Sequence, residues 1–112
     1  MRIYEIEVYV TDAGAAPLED WIGKVRDETA RTKLYARLDR ASHGNFGDCK
    51  DIEGAHGLFE IREHHGQGYR IFYSAIGRKV VLILAGSTKQ AQDRTIAKAK
   101  AYLHDYRQRM KP

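Results

Sequence analysis

Cysteine, proline and long apolar runs are all scarce in this chain. With one cysteine, Cys49, in 112 residues, no internal disulfide can close. That excludes a disulfide-stapled secreted mini-protein and suits a reducing, cytoplasmic setting. A zinc ribbon, which needs several cysteines, is excluded by the same count. The 2 prolines and 10 glycines are too few for a disordered or linker-like chain. The longest uninterrupted apolar run reaches only from Val80 to Ala85, far short of the roughly 18 residues of a membrane span, so no membrane partner is expected. Glu5 and Glu7 stand where a signal peptide would be apolar. There is no internal repeat and no low-complexity segment. What is present is ordinary for a globular protein: 43% apolar and 30% charged residues, at a length that suits one domain over residues 1–112.

The net charge of +4 is uneven. Residues 1–86 hold 12 basic and 13 acidic side chains, whereas residues 87–112 hold 7 basic and 2 acidic. The whole excess therefore lies in the last quarter of the chain. A basic helix there attracts polyanions or an acidic protein partner, or is simply a solvated face.

Residues 3–10 alternate apolar and polar side chains and predict a half-buried strand. Pro17 fits the first turn of a helix, in which Leu18, Trp21, Ile22 and Val25 form an apolar stripe. A second helical stretch covers about 27–42, with Ala30, Leu34, Leu38 and Ala41 on one face. No strong breaker separates the two, so a tight hairpin and one bent helix both remain open. Residues 43–48 read as a loop and 49–53 as a strand lead-in. Residues 57–64 alternate as a strand, 65–68 turn, and 69–75 return. Residues 79–85 read as a buried central strand, ended by Gly86-Ser87-Thr88. From about 90 to 110, Ile96, Ala99, Leu103, Tyr106 and Met110 fall at helical steps. The order β-α-α-β-β-β-α predicts an α+β domain, an antiparallel sheet with helices packed on one face.

The residues that could carry chemistry gather on the central hairpin. If its loop has five residues, Gly66 is at the centre and Arg62 faces Arg70. Like charges so placed destabilise by up to roughly 1 kcal/mol, unless an anion such as phosphate lies between them. If the loop has four residues, the two arginines land on opposite faces. Glu60 shares the face of Arg62 and would either neutralise it or act as a general base. Lys89, just past the last strand, would add a third positive charge. Tyr69 would be core or a stacking surface for a base. His64 and His65 are candidates for proton transfer. Being adjacent, they cannot readily share a metal, and the chain carries no fingerprint of a nucleotide or metal cofactor.

Taken together, Leu18-Glu19-Asp20-Trp21, Arg37-Leu38-Asp39-Arg40, Gly44-Asn45-Phe46-Gly47-Asp48, Gly57-Leu58-Phe59-Glu60-Ile61-Arg62, Gly66-Gln67-Gly68-Tyr69-Arg70, Val81-Leu82-Ile83-Leu84-Ala85-Gly86 and Lys89-Gln90-Ala91-Gln92-Asp93 resemble the phage-related addiction-module killer proteins. These are HigB-like toxins of the RelE/ParE superfamily. The resemblance implies the RelE/ParE-like fold and the toxin of a type II toxin–antitoxin pair, partnered by a helix-turn-helix antitoxin. It also implies metal-independent, ribosome-dependent cleavage of mRNA, in which the ribose 2′-OH attacks the adjacent phosphate. Arg70 matches the superfamily's phosphate-stabilising arginine, and Arg62 and Lys89 match basic positions. RelE has two lysines where this chain has Leu58 and Glu60, and Glu60 or one of His64 and His65 would substitute as acid and base. Tyr69, Lys98, Lys100 and Arg107 would bind the RNA. Two other readings are a ParE-type toxin that inhibits DNA gyrase through protein contacts, and a basic RNA-binding domain without toxicity.

Overall fold

The computed structural model describes residues 2–112. Strand β1 (Glu5–Val8) leads through helices α1 (Pro17–Ile22) and α2 (Glu28–Ser42) into β2 (Cys49–Asp51), β3 (Phe59–Glu63), β4 (Tyr69–Ile76) and β5 (Val80–Thr88), and α3 (Gln92–Arg109) follows. Spatially the five strands run β1-β5-β4-β3-β2. The α+β class and the antiparallel run from β2 to β5 are as expected. Three details differ. The stretch read as a strand lead-in is a short edge strand, β2. The first strand lies parallel to β5, with Glu5 opposite Val80. And the helices cover both faces of the sheet rather than one.

Two-sided cover follows from the central strand. In β5, Val81 and Ile83 point into one apolar core with Leu18, Ile22 and Leu34 of the first two helices. Leu82 and Leu84 point into a second core with Ala99 and Leu103 of α3. A strand apolar on both faces must bury both. The β1-to-β2 connection supplies α1 and α2 for one face, and the long C-terminal helix covers the other.

The two N-terminal helices are separate. The first starts at Pro17, which lacks the N–H that a first turn leaves unpaired. The second restarts at Asp27, whose carboxylate accepts from the Ala30 amide at 3.1 Å, an N-cap. Helix α3 is hooked to β1 at its far end. Tyr9 donates to Asp105, Tyr106 donates to Glu7 at 2.9 Å, and Arg109 pairs with Asp105 at 2.7 Å. Met110, expected on the apolar stripe, lies beyond the helix and is 60% exposed.

The β5 strand does not end at Gly86 but continues to Thr88. Gly86 is there for a close approach, not a turn. A Cβ at this position would stand 2.2 Å from Cε3 of Trp21, so the indole lies directly on the glycine backbone. Gly86→Ala is therefore expected to cost roughly 1–3 kcal/mol by overpacking, read as a lower urea midpoint. Trp21→Leu in the same chain should recover part of the loss. No loss in Gly86→Ala would show that the indole is free to move.

Candidate functional site

Strands β3 and β4 are joined by a five-residue loop, residues 64–68, with Gly66 and Gly68 at φ +60° and +85°. Arg62 and Arg70 are consequently direct partners across the ladder, on the face covered by α3. No open space lies between them. Glu60, two residues before Arg62 and so on the same face, fills it. Its Oε2 accepts from Arg62 Nε at 3.2 Å and lies 2.9 Å from Arg70 Nε, a contact not aligned for a hydrogen bond. Gln92, in the first turn of α3, donates to both carboxylate oxygens, at 2.8 and 3.1 Å. Arg70 Nη1 donates to the Tyr69 carbonyl at 3.1 Å.

The three charged side chains differ sharply in access: Glu60 is 2% exposed, Arg70 5% and Arg62 29%. The like-charge repulsion of the arginine pair is thus relieved from within. Glu60 is enclosed by its partners and is not placed as a general base. Arg70 is buried behind it and does not offer a guanidinium edge to solvent. Two cations sharing one carboxylate still leave one positive charge, and Arg62 is where that charge reaches water.

Around this cluster the hairpin tip carries further polar groups. His64 pairs with Asp48 beside β2, and both are exposed. His65 Nε2 lies 3.1 Å from Asp27, the N-cap of α2. The adjacent histidines thus reach different neighbours. The His64 hydrogen bond holds the Asp48 carboxyl below its usual range, with Arg62 and Arg37 contributing charge. Asp27 is lowered first by its Ala30 amide contact and then by His65. On the opposite face of β3, burial pushes Glu63 up, but the Arg37 guanidinium at 3.0 Å and the His65 amide outweigh it and hold it low. Lys89 stands against the same tip: its amide donates to the Gly68 carbonyl at 3.0 Å, and its side chain is exposed.

The expected RNA contacts do not form one surface. Tyr69 is 3% exposed and packs against Trp21 with ring centroids 6.2 Å apart, so it is core rather than a platform for a base. Lys98 and Arg107, nine residues apart, project from opposite flanks of α3. Lys98 faces α1, whereas Arg107 leans on the loop at His56, 3.4 Å from its carbonyl. Arg107 also sits roughly 22 Å along the helix from Gln92. Lys100 is exposed on the Arg107 flank. The roles of Gln92 and Asp48 were missed. Both lie within the stretches that carry the family resemblance, but no local spacing announces a contact that spans 32 residues to Glu60 or 16 to His64.

The fold is that of a known bacterial toxin. A solved structure of E. coli toxin RelE, a double arginine-to-alanine mutant in the free state, superposes with a TM-score of 0.63 over 88% of this chain and 95% of that one, at 17% identity. At the level of sequence, residues 20–108 match the family described as phage derived protein Gp49-like. An uncharacterised protein of Haemophilus influenzae is 38% identical over 82 residues, which span 73% of this chain and 81% of that protein. The chain belongs to the phage-derived Gp49-like family.

Two consequences are measurable. Arg70→Met removes the more buried of the two cations paired with Glu60 and should destabilise by roughly 3 kcal/mol, or about 10 °C or more in Tm. Arg62→Met, at the exposed end, should cost under about 1 kcal/mol. Equal losses would contradict a cluster anchored by Arg70. Glu63 is held below its usual value of 4.5, so its contribution is full above that pH and disappears as pH falls through the lower folded value. Urea titrations between neutral pH and about pH 3 should therefore show a shallower acid loss of stability for Glu63→Gln than for the parent chain.

Proposed function

We propose that this protein is the toxin of a type II toxin–antitoxin pair and that it cleaves mRNA on the ribosome without a metal. The observation that carries the reading is the Arg62–Glu60–Arg70 cluster. Its unneutralised charge emerges only at Arg62, beside the hairpin tip that carries His64, paired with Asp48, and against which Lys89 stands. The RelE-like fold and the Gp49-like family support the toxin assignment.

In this reading the outer nitrogens of Arg62 meet the scissile phosphate, and Lys89 draws in the neighbouring one. Arg70 and Glu60 hold Arg62 in place and do not touch RNA. His64, oriented by Asp48, is the proton-transfer group. The ribose 2′-OH gives its proton to His64 and bonds to phosphorus, and the bond from phosphorus to the 5′-oxygen breaks. That oxygen takes a proton from solvent, to which His64 then returns its own, leaving a 2′,3′-cyclic phosphate and a 5′-OH end. His65 is tied to Asp27 and takes no part. A helix-turn-helix antitoxin is the expected partner and the cytoplasm the expected compartment.

One observation favours a second reading. The arginine that matches the superfamily's phosphate-stabilising position is buried in an internal ion pair, as a toxin that only docks on a protein such as DNA gyrase would tolerate. Primer-extension mapping of mRNA ends in a purified translation system separates the two. The nuclease reading expects discrete cuts, slowed about 10²-fold or more by Arg62→Ala and comparably by His64→Ala. Whole mRNA together with gyrase-dependent DNA breaks would overturn it in favour of the second.

A further inference from the structure

We propose that β1 is a pairing edge, and that two copies of this chain associate by antiparallel pairing of their β1 strands about a two-fold axis at Val8. The two edges of the sheet, β1 and β2, are not alike. The β2 edge is guarded: its strand has three residues, and two of them are the charged Lys50 and Asp51. At the β1 edge, residues 3–10 hold no proline, glycine, lysine or arginine. The Glu5 and Tyr9 amides donate inward, to the Lys79 and Ile83 carbonyls on the β5 side, at 2.6 and 2.9 Å. Backbone groups alternate in direction along a strand, so those of Ile6 and Val8 point outward, and among the described residues none bonds them. Val10, next in the outward row, is 45% exposed. Its carbonyl accepts from Arg109 at 2.7 Å and keeps a second lone pair.

Charge selects the second copy as the occupant and fixes the register. Pairing centred on Glu7 would set that glutamate against its own counterpart, and pairing centred on Ile6 would set Glu5 against Glu7. Like charges directly opposite each other destabilise a strand pair. Pairing centred on Val8 avoids both. Val8 then meets Val8 and Ile6 meets Val10, so the outward backbone groups of all three exchange hydrogen bonds, and the exposed Val10 side chain is covered. Glu7, which keeps its Tyr106 donor, falls opposite Tyr9 of the second copy. Arg109 sits over that Tyr9 ring at 5.3 Å. Each copy thus brings a carboxylate to the other's guanidinium, as the self-complementary contact of a two-fold dimer requires. The proposal does not rest on the nuclease reading, since Arg62 lies on β3, three strands from this edge.

The test combines sedimentation equilibrium with amide exchange on the full-length chain. Between roughly 1 µM and about 1 mM the protein should pass reversibly from monomer to dimer. Exchange followed by NMR locates the contact. The Ile6, Val8 and Val10 amides should slow as concentration rises, whereas those of Glu5, Glu7 and Tyr9, which face β5, should not change. Glu7→Lys combined with Val10→Lys sets cations against Arg109 and into the apolar row, and should weaken association about 30-fold or more. Lys50→Glu, on the opposite edge, should change it less than about twofold. All three side chains are exposed in the monomer, so the variants should stay folded with a Tm close to the parent's. A monomer at every concentration, a dimer in which the Ile6 and Val8 amides remain fast, or undiminished association of the folded double variant would overturn the proposal.

Discussion

A single buried carboxylate organises the functional end of this protein. Without Glu60, the register of β3 and β4 would set two guanidinium groups opposite each other beneath a helix, each needing to be desolvated. Burying a lone charge costs several kcal/mol even after relaxation. A carboxylate shared by two arginines and capped by an amide balances the buried charge, although Arg70 Nε meets it without an aligned hydrogen bond. Gln92 is the element that makes the arrangement tertiary. It comes from α3, so the helix that closes the second core also locks the cluster. The direction of the remaining charge follows, because Arg70 is enclosed and the surplus appears at Arg62.

Much of the architecture was readable from local patterns, and the failures are instructive. Alternation located β3 and β4, but a four- and a five-residue loop both fitted the sequence, and only the observed five-residue loop around Gly66 sets Arg62 opposite Arg70. The error about helices on one face was avoidable from the same residues. An unbroken apolar run from Val80 to Ala85 has no polar face, so both sides of the sheet needed cover. The pairing of β1 with β5 was not readable. Period-two patterning shows that a strand has a buried side but says nothing about which strand lies next to it, or in which direction. Gly86 misled for a related reason: a glycine inside a strand and a glycine that ends one look alike, and only the position of Trp21 distinguishes them.

At the site, charge was readable but burial was not. Arg70 was expected to face a phosphate because its strand and neighbours were recognised. Whether a side chain reaches solvent depends on what crosses above it, here the first turn of α3. Similarly, the basic excess of the last quarter looked like one surface. Helical geometry divides it: Arg94 and Lys98 face α1, Lys100 and Arg107 lie on another flank, and Arg109 is engaged with Asp105 and the Tyr9 ring at 5.3 Å. Counting charges along a chain overstates the field at any one place when a helix distributes them around its axis.

Helix α3 is therefore a wall with different chemistry on its two sides. Gln92 holds the Glu60 cluster from one flank, while Arg94 and Lys98 face the α1 groove from the other, within two turns of the same helix. The first turn has no side-chain N-cap. It is tied down by the Thr88 hydroxyl, which accepts from the Ala91 amide at 3.3 Å, and by Gln92 itself. The far end of the helix is held differently, by Asp105, Tyr106 and Arg109, which bind Tyr9, Glu7 and the Val10 carbonyl at the start of the chain. Any shift of that turn moves Gln92 relative to Glu60 and changes how firmly Arg62 is held. The position of Arg62 is thus a property of the packing of α3 as much as of the strand that carries it.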